Sequence, residues 1–406
     1  MKETQDSARI ARAFAAQQSY GDPSREMRII GVTGTNGKTT TVHLIDAIFT
    51  HAGYRSHALG TINSPLTTLG EPELAQELAS LRDAGVEVVA MEVSSHGLAQ
   101  HRVDAVRFDV TAFTNLTQDH LDYHHSMDEY FSAKKRLFLE LESQASVINE
   151  ITEAGRILGD EIAQAVPERT LIRVGAPGSL ITSERGRETP SGTCFDLSVA
   201  GATFAVDLPL VGYHNVSNAL VATGCAYASG IDLETIADAL CDAPQIPGRL
   251  QWVDSDTGIN VFVDYAHTPD ALEHALIALR HITRGRLFVV FGCGGDRDQA
   301  KRPLMGRVAT THADRVIITT DNPRTEDPAC IIDQIHEGIG HTHRGHCASQ
   351  IDRATAIAQA IDEAHAGDTV LIAGKGHETY QIFADGTIDF SDAQVAGDAL
   401  ARKQSG

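Results

Sequence analysis

Cysteine pairing motifs are missing from this 406-residue sequence: Cys194, Cys225, Cys241, Cys293, Cys330 and Cys347 are scattered, with no CxxC pair and no dense framework. That excludes a disulfide scaffold and reads as reduced thiols in a cytoplasm. No apolar run approaches the length needed to cross a bilayer, and Met1 to Ile30 carries Glu3 and Asp6 with no apolar signal segment, so a membrane span and export are both unexpected. Positive charge is scarce as well: 33 Lys and Arg stand against 54 Asp and Glu, a formal charge of -21. Such a surface repels a nucleic-acid backbone or an anionic membrane, leaving only local cationic clefts for a small phosphorylated ligand. Neither an internal repeat nor a low-complexity segment is present.

What remains is ordinary globular composition, 42% hydrophobic and 21% charged, in a chain long enough for two or three domains. Residues 8–18, ARIARAFAAQQ, suit a short amphipathic helix that Gly21-Asp22-Pro23 breaks. Strands are expected at 28–32, 87–91, 110–113 and 146–148, with helices at 39–52, 73–84 and 127–140, an alternation that argues a mostly parallel sheet covered by helices. Around 186–210 short alternating segments suggest an antiparallel hairpin at the sheet's edge. After the linker Pro244-Gln245-Ile246-Pro247-Gly248, strands near 259–263, 287–292, 315–319 and 369–373 restart the pattern. The expected architecture is α/β throughout: a leader helix over 1–24, a central phosphate-loop ATPase domain over 25–248, and a C-terminal Rossmann-like domain over 249–406.

The segment GVTGTNGKTTT, Gly31 to Thr41, follows a strand and opens a helix. Its glycines let backbone N–H groups approach phosphates, Lys38 reaches the β and γ oxygens, and the Thr39 hydroxyl suits Mg²⁺. The spacing departs from the generic pattern, since Val32 stands where a first glycine is usual. Glu92 closes the strand of Ala90-Met91-Glu92, where it is either an ordinary strand-end charge or, beside a phosphate loop, a ligand of the nucleotide's metal. Asn115, Asp119 and His120 follow another strand at the same edge, and His120 is placed to ligate a second cation. His124 and His125 read as solvated.

TGTNGKTTT, MEVSSHGLAQHRV and FTNLTQDHLDYH, followed by MDEYFSAKKRLF, resemble the Mur ligase family across about residues 20–392. Within it the chain is most similar to the ligases that add the third residue of the peptidoglycan stem. The resemblance implies an ATP-dependent acid–amino-acid ligase that activates a carboxylate as an acyl phosphate. It implies nucleotide contacts from Gly34, Thr35, Asn36, Gly37, Lys38, Thr39, Thr40, Asn115, Asn218, Arg249, Asp264 and His267. Metal ligands would be Thr39, Glu92, His120 and Lys134, the last carbamylated, which turns a cation into a metal-binding anion. From the residues alone Lys134 reads as a solvated helix lysine, and Asn218 as a helix cap or turn residue.

Contacts to a muramoyl-L-Ala-D-Glu type acceptor are implied for Thr67, Thr68, Ser94, Gln100 and Arg102. GCGGDRDQAKRP, DNPRTEDP and AGKGHETYQ each follow an expected strand, so three loops converge on one edge. The DNPR element resembles the signature of ligases that take meso-diaminopimelate rather than L-lysine, and implies contacts from Arg297, Asp321, Asn322, Pro323, Arg324, Gly374 and Glu378. A planar guanidinium grips the far carboxylate of diaminopimelate with two parallel hydrogen bonds, and lysine offers no such carboxylate. Read alone, DNPR is an Asn-Pro turn with surface charge.

Only about thirty residues precede Gly31, so the UDP-binding domain of full-length relatives is expected to be lacking; the tripeptide-synthetase reaction would then run weakly or with help from another chain. A smaller acceptor without UDP, a non-catalytic nucleotide-binding partner of a complete ligase, and a folylpolyglutamate synthase are the competing readings. His341, His343, His346 and Cys347 lack a recognised ligand spacing and read as an exposed loop.

Overall fold

A computed structural model describes residues 2–340 and 345–405. The chain divides into two compact units, one of Met1–Arg187, Thr193–Pro209 and Tyr213–Pro244, the other of Glu188–Gly192, Leu210–Gly212 and Gln245–Gly406.

The first unit is built on β1 (Arg28–Thr33), β2 (Ser56–Leu59), β3 (Val88–Glu92), β4 (Phe108–Phe113), β5 (Ser143–Asn149), β6 (Thr170–Val174), β7 (Ile181–Thr189), β8 (Gly192–Val199) and β9 (Ala202–Leu208). They form one sheet in the order β2-β3-β1-β4-β5-β6-β7-β8-β9. Pairing is parallel from β2 through β7, with Ile30 opposite both Ala90 and Val110. The strands β1, β3 and β4 are almost wholly buried apolar runs, as strands covered on both faces must be. The alternating segment is an antiparallel β8–β9 pair at the edge, with Phe195, Leu197 and Val199 turned inward.

Helix Met127–Leu139 is capped by the Ser126 side chain, which accepts from Glu129 N, and carries Asp128 and Glu129 in its first turn. Its buried stripe of Tyr130, Ala133, Leu137 and Phe138 includes Lys134. The amino-terminal helix runs over Lys2–Ser19, longer than its amphipathic pattern suggests.

The second unit has a sheet of β10 (Gln251–Val253), β11 (Asn260–Asp264), β12 (Leu287–Phe291), β13 (Arg315–Ile318), β14 (Cys347–Ser349) and β15 (Thr369–Ala373) in the order β10-β11-β15-β12-β13-β14. Only β10 runs antiparallel. Successive residues feed opposite cores, with Leu287, Val289 and Phe291 in one and Phe288 and Val290 in the other, so helices cover both faces. A separate hairpin, β16 (Tyr380–Phe383) and β17 (Gly386–Asp389), completes the unit. Both sheets are α/β as expected, and no helix among the described residues is long and apolar enough to cross a membrane.

Candidate active site

In the first unit the site lies at the carboxyl ends of β1, β3 and β4, the edge where open parallel sheets collect ligands. Val32 needs no glycine because it sits inside β1, where its carbonyl accepts from Val93 N at 2.8 Å. Beyond it, the phosphate loop is braced by the segment after β4. Thr35 N donates to Asn115 O and Asn36 N to Asn115 Oδ1, each at 2.9 Å, and the Thr114 hydroxyl donates to Asn36 O at 2.7 Å. Gly37 caps the following helix at φ 84, and a Cβ there would meet Asn218 Oδ1 at 2.2 Å, so the position admits only glycine. Asn218 is neither cap nor turn. It lies inside helix Tyr213–Ala228, buried, with its carbonyl group against the loop.

Lys38 folds back on its own loop, donating to Gly34 O at 3.0 Å and Thr35 O at 2.8 Å. Thr39 and Thr40 occupy the first helical turn, both buried, and the Thr39 hydroxyl donates to Glu92 Oε1 at 3.0 Å. The same oxygen accepts Thr61 N at 2.8 Å. A hydroxyl beside a carboxylate at a phosphate loop is a hard-oxygen pair of the kind Mg²⁺ takes.

Lys134 contradicts its reading as a solvated lysine. It is 1% exposed, its Nζ donates to Gly34 O at 2.8 Å, and it lies 4.4 Å from the Tyr130 ring centroid. Burial, and after it the charge of Lys38, pushes its pKa well below the lysine range. The spacing of Tyr130, Ala133, Leu137 and Phe138 puts Lys134 on the buried stripe, a signal present in the sequence.

His120 is half-exposed with φ 52, its Nε2 3.5 Å from Asp119 Oδ2 and its ring 4.8 Å from that of His96. His125 is exposed as expected, whereas His124 is buried, its Nε2 3.0 Å from Ser95 Oγ. Burial first, then His96, lowers the His124 pKa to about 4, so its imidazole is neutral at physiological pH. Among the described residues no three His, Cys, Asp or Glu side chains gather as a metal-binding group, and Thr39 and Glu92 stand as a pair. His341 and His343 lie outside the described residues, and His346 is exposed.

All five expected acceptor residues join one hydrogen-bonded line in this unit. The Thr68 hydroxyl donates to Glu92 O at 3.0 Å and lies 3.1 Å from Ser94 Oγ. Arg102 donates to Thr68 O at 2.7 Å and through Nη2 to Gln100 Oε1 at 2.6 Å. Thr67 is reached through Thr61, their hydroxyls 3.1 Å apart. Thr61 and Tyr130, which donates to Thr35 Oγ1 at 3.1 Å, carry no motif that would single them out.

In the second unit the loops after β15, β12 and β13 leave adjacent parallel strands and do converge. Asn322 Nδ2 donates to Glu378 Oε2 at 2.8 Å, and Arg324, at φ 54, donates to Gly295 O at 2.7 Å. Asp321 Oδ1 accepts Asn322 N at 2.7 Å, and Pro323 continues the turn. Gly374 adopts φ 114, and a Cβ there would meet Asp321 Oδ2 at 2.6 Å. Arg297 is exposed at the rim, its Nη1 3.3 Å from Asp296 O. At the end of β11, the carboxylate of Asp264 accepts Leu250 N at 2.7 Å and Ala266 N at 2.8 Å, bracing its own turn. The Arg249 guanidinium lies 5.1 Å from the Tyr265 ring centroid, and His267 Nδ1 is 2.8 Å from Tyr265 O. Hairpin β16–β17, which the sequence pattern does not announce, braces the DNPR turn: Arg324 N donates to Ile382 O at 3.0 Å and Gln381 Nε2 to Asp321 O at 2.8 Å.

Known proteins place this pair of units. Residues 32–226 match the family model of the Mur ligase middle domain, and residues 248–376 that of the Mur ligase, glutamate ligase domain. The UDP-N-acetylmuramoyl-L-alanyl-D-glutamate--2,6-diaminopimelate ligase of Geobacillus thermodenitrificans is 42% identical, over 98% of this chain and 83% of its own. The chain belongs to the Mur ligase family. It is accordingly an ATP-dependent amide-bond-forming ligase.

The ligase of the same name from Gloeobacter violaceus is 44% identical over 98% of this chain and 81% of its own. A solved structure with that name superposes with a TM-score of 0.71 at 33% identity, covering 97% of this chain and 83% of that one. A folylpolyglutamate synthase of Mycobacterium tuberculosis, complexed with ADP and AMPPCP, reaches a TM-score of 0.72 at 19% identity over 98% of this chain and 95% of that one, and shares the fold. With 83% of a Mur ligase relative's length matched, the expectation of a lacking UDP-binding domain is not borne out, and nothing supports a helper chain.

Proposed function

We propose that this Mur ligase adds meso-diaminopimelate to UDP-N-acetylmuramoyl-L-Ala-D-Glu in the cytoplasm, as a step of peptidoglycan synthesis, with ATP as co-substrate and Mg²⁺ as cofactor. The observation that carries the reading is the hydrogen-bonded line from Thr39 through Glu92 to Thr68, Ser94 and Arg102. It joins the phosphate loop directly to groups suited to an acidic peptide, as transfer of a phosphoryl group to a carboxylate requires.

In this reading residues 25–248 carry the phosphates of the nucleotide and the acceptor, and residues 249–406 carry the amino acid and add nucleotide contacts. Thr39 and Glu92 would hold one Mg²⁺, and His120 with carbamylated Lys134 the other. Bound metal supplies neutralisation of the phosphoryl charge. Burial lowers the Lys134 pKa and so favours the neutral amine, the form that adds CO₂, releasing a proton and leaving a carbamate anion. Lys38 exchanges the Gly34 and Thr35 carbonyls for the β and γ oxygens. An acceptor carboxylate oxygen attacks the γ-phosphorus and ADP leaves, giving an acyl phosphate. The amine of the amino acid then attacks the acyl carbon, phosphate leaves, and the nitrogen sheds a proton. Asn218 in the first unit and, in the second, Arg249, Asp264 and His267 are the residues proposed for nucleotide contacts, while Asn322, Arg324, Gly374, Glu378 and Arg297 would receive the amino acid.

Phosphate release with ATP, Mg²⁺ and the UDP-linked acceptor, compared between meso-diaminopimelate and L-lysine, tests the assignment. A guanidinium placed for a carboxylate favours diaminopimelate by about a hundredfold or more in kcat/KM. Equal use of both amino acids would overturn it.

A further inference from the structure

The second unit holds a lysine that the proposed reaction does not use. Lys375 has no exposed surface. Its Nζ donates to Glu378 Oε2 at 2.7 Å and to Asn322 Oδ1 at 3.0 Å, and the Tyr380 ring centroid lies 5.5 Å away. Asn322 Oδ1 accepts a second bond from Ile382 N at 3.0 Å, while Asn322 Nδ2 donates to the same Glu378 Oε2 at 2.8 Å. Three side chains and one strand N–H thus form a closed set.

An asparagine amide can turn over, exchanging its acceptor for its donors. In this set it cannot. The lysine and the Ile382 N–H both need an acceptor, and the Glu378 carboxylate needs a donor. Reversal would put donor against donor twice and acceptor against acceptor once, in a buried place where each mismatch is costly.

We propose that Lys375 is a positioning residue for the amino-acid substrate. It fixes the Asn322 amide in one orientation and occupies one Glu378 oxygen, leaving the second Asn322 N–H and Glu378 Oε1 as the donor and acceptor offered to the ligand. The proposal rests on the reading of Asn322 and Glu378 as amino-acid contacts. A lysine serving only the fold would, on loss from its buried pair with Glu378, lower stability without raising KM for one substrate apart from the others.

The test is Lys375→Met in the full chain, assayed for all three substrates with urea unfolding alongside. The expected result is a rise of about tenfold or more in KM for meso-diaminopimelate, because a charge-assisted bond is lost, Glu378 is released, and the amide's orientation is held by two partners instead of three. KM for ATP and for the acceptor stays within about twofold of wild type, because neither is proposed to touch Asn322 or Glu378. Lys375→Gln, which keeps a donor for Asn322, recovers part of the loss, and it decides the matter if the Met variant does not fold. An unchanged KM for diaminopimelate in a folded variant, or equal changes in all three KM values, overturns the proposal. If the wild type neither binds nor ligates meso-diaminopimelate, the amino-acid reading itself falls. The lock is then judged by hydrogen exchange of the Asn322 side-chain amide: slow in wild type and fast in Lys375→Met upholds it, and equal rates overturn it.

Discussion

Lysine is among the residues least often found fully buried, and Lys134 is buried with Gly34 O as its hydrogen-bond acceptor and with Lys38 adding repulsion. An amine held there gains from becoming an anion that a cation can neutralise. Wild-type protein incubated with ¹³C-bicarbonate is therefore expected to show a carbamate carbonyl resonance, absent from Lys134→Arg, whose activity falls about a hundredfold or more. A labelled signal of equal strength in both would contradict the role. At this scale the sequence was uneven. Lys38, Thr39 and Glu92 were legible because glycines and strand ends announce them. Lys134 was legible only by resemblance, because a lysine on a stripe of Tyr130, Ala133, Leu137 and Phe138 runs against the usual partition of charge, and periodicity alone did not outweigh that. His124 misled for the same reason: a histidine amid polar neighbours reads as solvated, and only the packing of Ser95 and Tyr130 around it says otherwise.

Among the elements, buried arginines hold the loops of the second unit in place. Arg302, with no exposed side-chain surface, donates to both oxygens of Glu326 at 2.8 Å and to Gly294 O at 3.1 Å, tying the GGDR loop to the DNPRTED turn. The Arg302 hydrogen bonds, more than any other cause, hold the Glu326 carboxyl down at about 2, against an ordinary 4.5. A depressed folded-state value means the stabilisation is complete above the ordinary glutamate range and is lost as pH falls toward about 2. Glu326→Gln is thus expected to lower the urea midpoint at pH 7, with the gap to wild type closing below the ordinary value. A gap that stayed constant down to the lowest pH would contradict the pairing.

Arg353 makes a second clamp: fully buried, it pairs with Asp392 at 2.7 and 2.8 Å and donates to Ala373 O and Thr320 O, the residues just before the GKGHE and DNPR loops. Asp392→Ala alone should cost about 3–5 kcal/mol in denaturant unfolding, and the double change Arg353→Met with Asp392→Leu markedly less. Equal losses would mean that the pair is not coupled. Neither ion pair was legible, since Arg302–Glu326 and Arg353–Asp392 join residues 24 and 39 positions apart. The β16–β17 hairpin escaped because four-residue strands of mixed polarity carry too little alternation. The long apolar strands β1, β3, β12 and β15 were plain.

For the molecule as a whole, two α/β units place chemistry-bearing loops at the carboxyl edges of their sheets, and the alternation of strands and helices foretold both sheets. Convergence of three loops at the edge of the second sheet was expected, but the strand orders β3-β1-β4 and β15-β12-β13 did not follow from alternation, because they arise from crossovers that local sequence does not encode. Family membership settles that the chain joins acid to amine at the expense of ATP; the acceptor and the amino acid are the central proposal. The most direct measurement is mass-spectrometric detection of product from ATP, Mg²⁺, UDP-N-acetylmuramoyl-L-Ala-D-Glu and meso-diaminopimelate, with ADP counted alongside. The prediction is the amide-linked UDP-muramoyl tripeptide in step with ADP, one for one. ADP formed without the tripeptide, or no ADP at all, would contradict it.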